Sequence, residues 1–186
     1  RLRGPAALAE FRRGRDRLFR SHPQSPIEDP ESFPGIDYFP PDPACRVEAR
    51  LDAHDQVGEV VIDTGGEDGA IRYRRAGVLR FELGGQSCAL TVLSLIGYGG
   101  GLFLPFRDAT SGTETYGGGR YLFDTAKGTD GLVLELEVGS NRVVIDFNYA
   151  YNPSCAYSPS WACPLAPPEN TLPVSVRAGE KSYRAH

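Results

Sequence analysis

Several residue types are scarce in this 186-residue chain, and each scarcity narrows what it can do. Methionine is absent and the three histidines are His22, His54 and His186. None lies between positions 55 and 185, so a Ser-His-Asp triad or a Cys-His pair would have to recruit His54 or His22 from afar. The G-x-S-x-G elbow is missing as well. Two lysines, Lys127 and Lys181, stand against eighteen arginines, a coding bias more than a mechanism. No apolar run nears the roughly 20 residues of a helical membrane span. The longest, 89–96, is interrupted by Thr91 and Ser94. The net charge of -4 gives no reason to expect nucleic acid. The expected setting is cytoplasmic, with no metal and no cofactor.

What is abundant is glycine, 22 residues, and proline, 15. Their placement predicts one domain over 1–186 in three parts: a helix at 5–20, a proline-rich wrap at 22–43 and a β domain at 45–186. In the helix, Leu8, Phe11, Arg15 and Leu18 follow a 3-4-3 spacing, widened by Ala7 and Phe19. Arg12, Arg13, Arg17 and Arg20 take the other faces, as a solvated back or, less favoured, a surface for a protein partner. Seven prolines in 22–43 forbid helix and central strand, while Phe33, Ile36, Tyr38 and Phe39 suit a segment laid over the body.

Beyond residue 45 the apolar period becomes two. Strands are expected at 47–53, 57–63, 71–75, 78–83, 87–96, 102–106, 121–124, 132–138 and 142–151, with 174–177 as a closing strand. Short strands, Gly-rich turns and no internal helix predict a mainly β fold: an antiparallel β-barrel, or else a two-sheet sandwich, with an N-terminal amphipathic helix.

The most informative residues lie in Leu104–Leu122 (LPFRDATSGTETYGGGRYL), Asp146–Asn170 (DFNYAYNPSCAYSPSWACPLAPPEN) and Ala178–Lys181 (AGEK). These stretches resemble the bacterial and archaeal family called domain of unknown function 1684. The resemblance extends to the FRRGRDRLF helix and implies no particular activity. In that family a basic residue often stands where Tyr149 and Thr171 stand here, so the resemblance implies two fewer positive charges beside the motif.

Read from the residues, a strand at 142–152 would line up Asp146, Asn148 and Asn152 on one face, either wet or facing a barrel cavity. Arg107, Asp108, Tyr116 and Arg120 crowd a glycine-punctuated loop that lacks phosphate-loop order. Either arginine could clamp an anionic group, or an Arg–Asp network could simply order the loop. The leading expectation is a small-molecule-binding β-barrel using Arg107, Asp108, Tyr116, Arg120, Asp146, Asn148 and Asn152. One alternative is a cofactor-free enzyme with Asp146 as acid or base and Tyr116 or Arg120 as electrophilic partner. The other is a structural or interaction protein whose polar block locks the fold. Cys155 and Cys163 are a candidate disulfide, closing a loop of about nine residues and contributing roughly 2.6 kcal/mol in the chain-entropy picture.

Overall fold

A computed structural model of the protein describes residues 4–56, 58–66, 69–97, 100–125, 134–136 and 140–183. Helix α1 spans Gly4–Ser21. The strands are β1 (Arg46–Asp52), β2 (Glu59–Asp63), β3 (Ala70–Leu83), β4 (Gln86–Leu95), β5 (Leu102–Phe106), β6 (Arg120–Asp124), β7 (Leu134–Leu136) and β8 (Arg142–Asp146). They form one antiparallel sheet in the order β6-β5-β4-β3-β1-β8-β7, with β2 paired to the first half of β3. The sheet curls into a half-barrel. Closure would require β6 to pair with β7, and among the described residues it does not.

Three sequence expectations need correction. The strands expected at 71–75 and 78–83 are one strand, β3, bent by a register shift between Arg75 and Gly77. Gly77 permits that bend because an added Cβ would lie 2.9 Å from the Asp52 carbonyl oxygen. The strand expected at 142–151 ends at Asp146, whose carboxylate accepts from the Asn148 backbone N–H and caps a single 3₁₀ turn over Phe147–Tyr149. This turn removes the alternation that would have put Asp146, Asn148 and Asn152 on one face. Residues 174–177 form no strand. Of the expected strand at 132–138 only 134–136 lie within the described residues, as do 58–63 of that expected at 57–63.

The sheet buries apolar residues on both faces. Alternation sends Leu79, Phe81, Leu90, Val92, Leu104, Phe106 and Leu122 to one core and Tyr73, Leu93, Phe103 and Tyr121 to another. Pro105, with no N–H to give, sits at the bulge between β5 and β6. Where β4 and β5 diverge, the fully buried Asn170 side chain fills the gap. Its Oδ1 accepts from Thr91 N (2.8 Å), and its Nδ2 donates to Thr91 O (2.9 Å) and Pro105 O (2.8 Å).

Helix α1 docks through Ala7, Leu8 and Phe19. Leu18, expected in the apolar stripe, is 44% exposed. Arg13 and Arg17 do form an outer charged face, pairing with Glu10. Arg12, expected outside, instead lies over the Tyr38 ring at 4.4 Å. In the proline-rich wrap, Phe33, Ile36 and Phe39 are buried, and Ile36 N donates to Asp16 on the helix. The wrap is tied to the C-terminal segment where Phe39 N donates to Gly179 O and Lys181 N donates to Asp37 O, both at 2.9 Å.

Candidate functional site

Arg120 opens β6 and points into the protein, 1% exposed. Its Nη2 donates to Asp108 Oδ2 (2.9 Å) and Val176 O (2.8 Å), and its Nη1 to Ala178 O (2.5 Å) and Glu180 O (3.2 Å). Asp108 is equally enclosed. Its Oδ2 also accepts from Val176 N (2.9 Å), and its Oδ1 from Thr110 N (3.0 Å) and Thr110 Oγ1 (2.6 Å). Burial lowers the Arg120 pKa, and the Asp108 charge opposes that. The buried pair is satisfied by protein groups on every side, the condition under which such a pair is tolerated. Thr110 extends the network, because its carbonyl accepts from the backbone N–H groups of Thr113, Glu114 and Thr115.

A second buried charge lies beyond it. Glu180 is fully enclosed and receives Arg15 Nε (2.5 Å), Tyr157 Oη (2.6 Å) and Asn152 N (2.7 Å). The Arg15 guanidinium also lies over the Phe19 and Tyr151 rings at 4.9 and 4.8 Å. Burial disfavours the charged Arg15, but Glu180 and Tyr157 outweigh it and raise the pKa. Burial and the Glu180 charge push the Tyr157 hydroxyl well above the ordinary tyrosine value.

The remaining expected site residues have separate partners. Asn148 Nδ2 donates to Asp42 O and Asp146 Oδ1, and its Oδ1 accepts from Asp42 N. Asn152 Nδ2 donates to Lys181 O (2.8 Å). Tyr116 donates to Cys155 Sγ at 3.6 Å. Burial pushes the Tyr116 hydroxyl up to about 12, with the nearby Arg107 pulling the other way. Arg107 keeps its Nε buried without a hydrogen bond. The hydrogen bonds of Asp146, Tyr116 and Arg120 therefore run to three different sets of partners. Among the described residues no cluster of three His, Cys, Asp or Glu is poised to hold a metal, and no helix is long and apolar enough to cross a membrane.

Open space lies beside this network. A cleft of about 440 Å³ is bounded by the wrap (Pro34, Gly35, Asp37, Phe39), the 110–120 loop (Thr113, Glu114) and the C-terminal segment (Lys181, Ser182, Tyr183). Lys181 Nζ bonds Asp37 (3.1 Å) and stands 5.4 Å from the centre of the Phe39 ring. Glu114 pairs with Arg177 at 2.9 Å. A broader open groove of about 920 Å³ crosses β1, β3, β4 and β8 beside Glu48, Arg50, Arg80 and Glu82. Neither space is lined by Arg107, Asp108, Tyr116, Arg120, Asp146, Asn148, Asn152 or Trp161.

Most of the cleft walls and of the buried network fall within a stretch that matches a known family, with Arg15, Ser182 and Tyr183 outside it. The model described as "Protein of unknown function (DUF1684)" matches residues 31–181. The chain belongs to the DUF1684 family. The DUF1684 chain is also similar to a solved structure, the solution NMR structure of the uncharacterized protein from gene locus rrnAC0354 of Haloarcula marismortui. The two are 38% identical, the match covers 95% of this chain and 92% of that one, and the TM-score is 0.68. No curated protein matches the chain.

Sequence reasoning left two central residues of the DUF1684 chain in the background. Glu180 stood out only as part of the AGEK stretch, and only the tertiary approach of α1 brings Arg15 to it. Asn170 carried no signal, since its partners are backbone atoms 65 and 79 residues away.

Proposed function

We propose that the chain binds a small polar molecule in the cleft between the wrap, the 110–120 loop and the C-terminal segment. The observation that carries this reading is the convergence of three chain-distant segments around about 440 Å³, within the range of small-ligand sites. The walls combine the Phe39 and Tyr183 rings with Asp37, Glu114, Lys181 and two hydroxyls. That suits a ligand with one flat or apolar part and hydroxyl or amine groups able to exchange with the Lys181–Asp37 pair.

The residues first expected to touch the ligand act in this reading as its frame. Asp108 fixes Thr110, whose carbonyl holds the Glu114 turn. Arg120 holds Glu180 O, and Asn152 holds Lys181 O. Both charged walls of the cleft are thus hung from the buried network. This is the preorganisation a selective site requires.

A thermal-shift screen of polar metabolites against wild type, Lys181→Met and Glu114→Gln tests the proposal. The expected result is a compound that raises the melting temperature of wild type and loses most of that effect in both variants. A stabilising compound whose effect is indifferent to both substitutions overturns the assignment.

A further inference from the structure

The proline-rich loop brings two cysteines together on a face that the cleft does not use. Cys155 ends up beside Cys163, close enough for the two side chains to interact. No disulfide joins any cysteine pair. Cys155 is half-buried and reachable from solvent, whereas Cys163 is 8% exposed behind it. The loop that holds them is stiff. Pro153, Pro159, Pro164, Pro167 and Pro168 punctuate it, and Tyr121 donates through its hydroxyl to Pro164 O (2.5 Å) next to Cys163. The Ala162 Cβ is seated so closely on Gly66 that a Cβ there would come within 2.3 Å of it. Tyr116 meets the outer sulfur through its hydroxyl at 3.6 Å.

We propose that Cys155 and Cys163 form a thiol–disulfide exchange site whose co-substrate is a low-molecular-weight disulfide. Cys155, the accessible sulfur, loses its proton to solvent and attacks one sulfur of the disulfide RSSR. The RS–SR bond breaks, a Cys155–SR bond forms, and RS⁻ leaves and takes up a proton. Cys163, as its thiolate, then attacks Cys155 Sγ and expels the second RS⁻. Two protein thiols are oxidised and one small disulfide is reduced to two thiols, so electrons and protons balance. The interaction with Cys163, and then burial, hold the Cys155 thiol well above its ordinary pKa, so it attacks only through a small thiolate fraction at neutral pH. The placement of one accessible and one covered thiol in contact is the attacking-and-resolving arrangement that exchange needs. The remaining cysteines lack it. Cys45 and Cys88 are both buried, and Cys45 Sγ donates to Asp42.

The test is equilibration of the folded full chain in a glutathione redox buffer, followed by acid quench, thiol titration in denaturant, intact mass and peptide mapping. The expected result is loss of two of the four thiols, a mass lower by two hydrogens, and one cross-linked peptide joining Cys155 to Cys163. In Cys163→Ser the reaction should stop as a glutathione adduct on Cys155. Retention of all four thiols, a persistent adduct on wild type, or a bond that includes Cys45 or Cys88 overturns the proposal. The wild-type map decides the matter even if the variant does not fold.

Discussion

Replacing Asp108 by Asn tests whether the buried polar block is a frame. The substitution keeps the shape of the side chain and removes one charge and one acceptor. Asp108 Oδ2 accepts from Arg120 Nη2 and Val176 N, while Oδ1 accepts from both donors of Thr110. An asparagine offers one carbonyl oxygen, so in either orientation its NH₂ faces at least one donor. The Arg120 guanidinium, 1% exposed, would be left without its counter-charge. Breaking such a pair on one side costs about 3–5 kcal/mol. For a chain of this size each kcal/mol lowers the melting temperature by about 2–4 °C, so a fall of roughly 6–20 °C is expected. Urea unfolding followed by circular dichroism would measure it. Asp108→Asn combined with Arg120→Met should cost less than the sum of the single changes, because the double variant buries no orphaned charge. A loss under about 1 kcal/mol for Asp108→Asn, with additive single effects, would refute the frame.

Three further perturbations follow from the same geometry. Gly179→Ala should destabilise by several kcal/mol in urea unfolding, because φ is +75° there and the new Cβ would meet the Ala150 carbonyl oxygen at 2.4 Å. Glu180→Gln should cost about 3–5 kcal/mol and release α1 to limited proteolysis, since Arg15 would lose its counter-charge at a fully enclosed position. Burial, and then Asp42, push the Cys45 thiol up to about 12 from 9.0. The fold therefore favours the protonated thiol. The stability this contributes is fully present below about pH 9 and is lost as the pH rises toward 12. Iodoacetamide at pH 9 should accordingly leave Cys45 unlabelled in the native chain and label it once urea is added.

The elements were legible wherever local pattern controls them. The 3-4-3 spacing of Leu8, Phe11, Arg15 and Leu18 located the helix, although Leu18 itself is exposed, and alternation located β1 and β4 close to their true ends. Errors arose where one residue overrides the pattern. Asp146 caps a turn and stops β8, although Phe147, Tyr149 and Tyr151 continue the strand-like alternation. Gly77 bends β3 without breaking it. The motif residues stood out in the sequence as polar groups, but their partners were invisible, and the structure distributes them over separate hydrogen-bond sets. Arg120 is satisfied largely by backbone carbonyls 56 to 60 residues away, and a backbone carbonyl leaves no mark on residue type. The cleft was unreadable for a similar reason, since its walls come from segments that meet only when the wrap pairs with the AGEK segment.

The central claim is that ligand binds in the cleft and the Asp108–Arg120 network supports it from behind. The most direct measurement is a heteronuclear NMR titration of the isotope-labelled chain with a compound found to stabilise it. The account predicts shift changes concentrated at Asp37, Glu114, Lys181 and Ser182, with the Arg120 guanidinium signals retained and protected from exchange. Changes centred instead on Arg120, Asp146 and Asn148, or on Arg50 and Arg80 across the sheet groove, would contradict it.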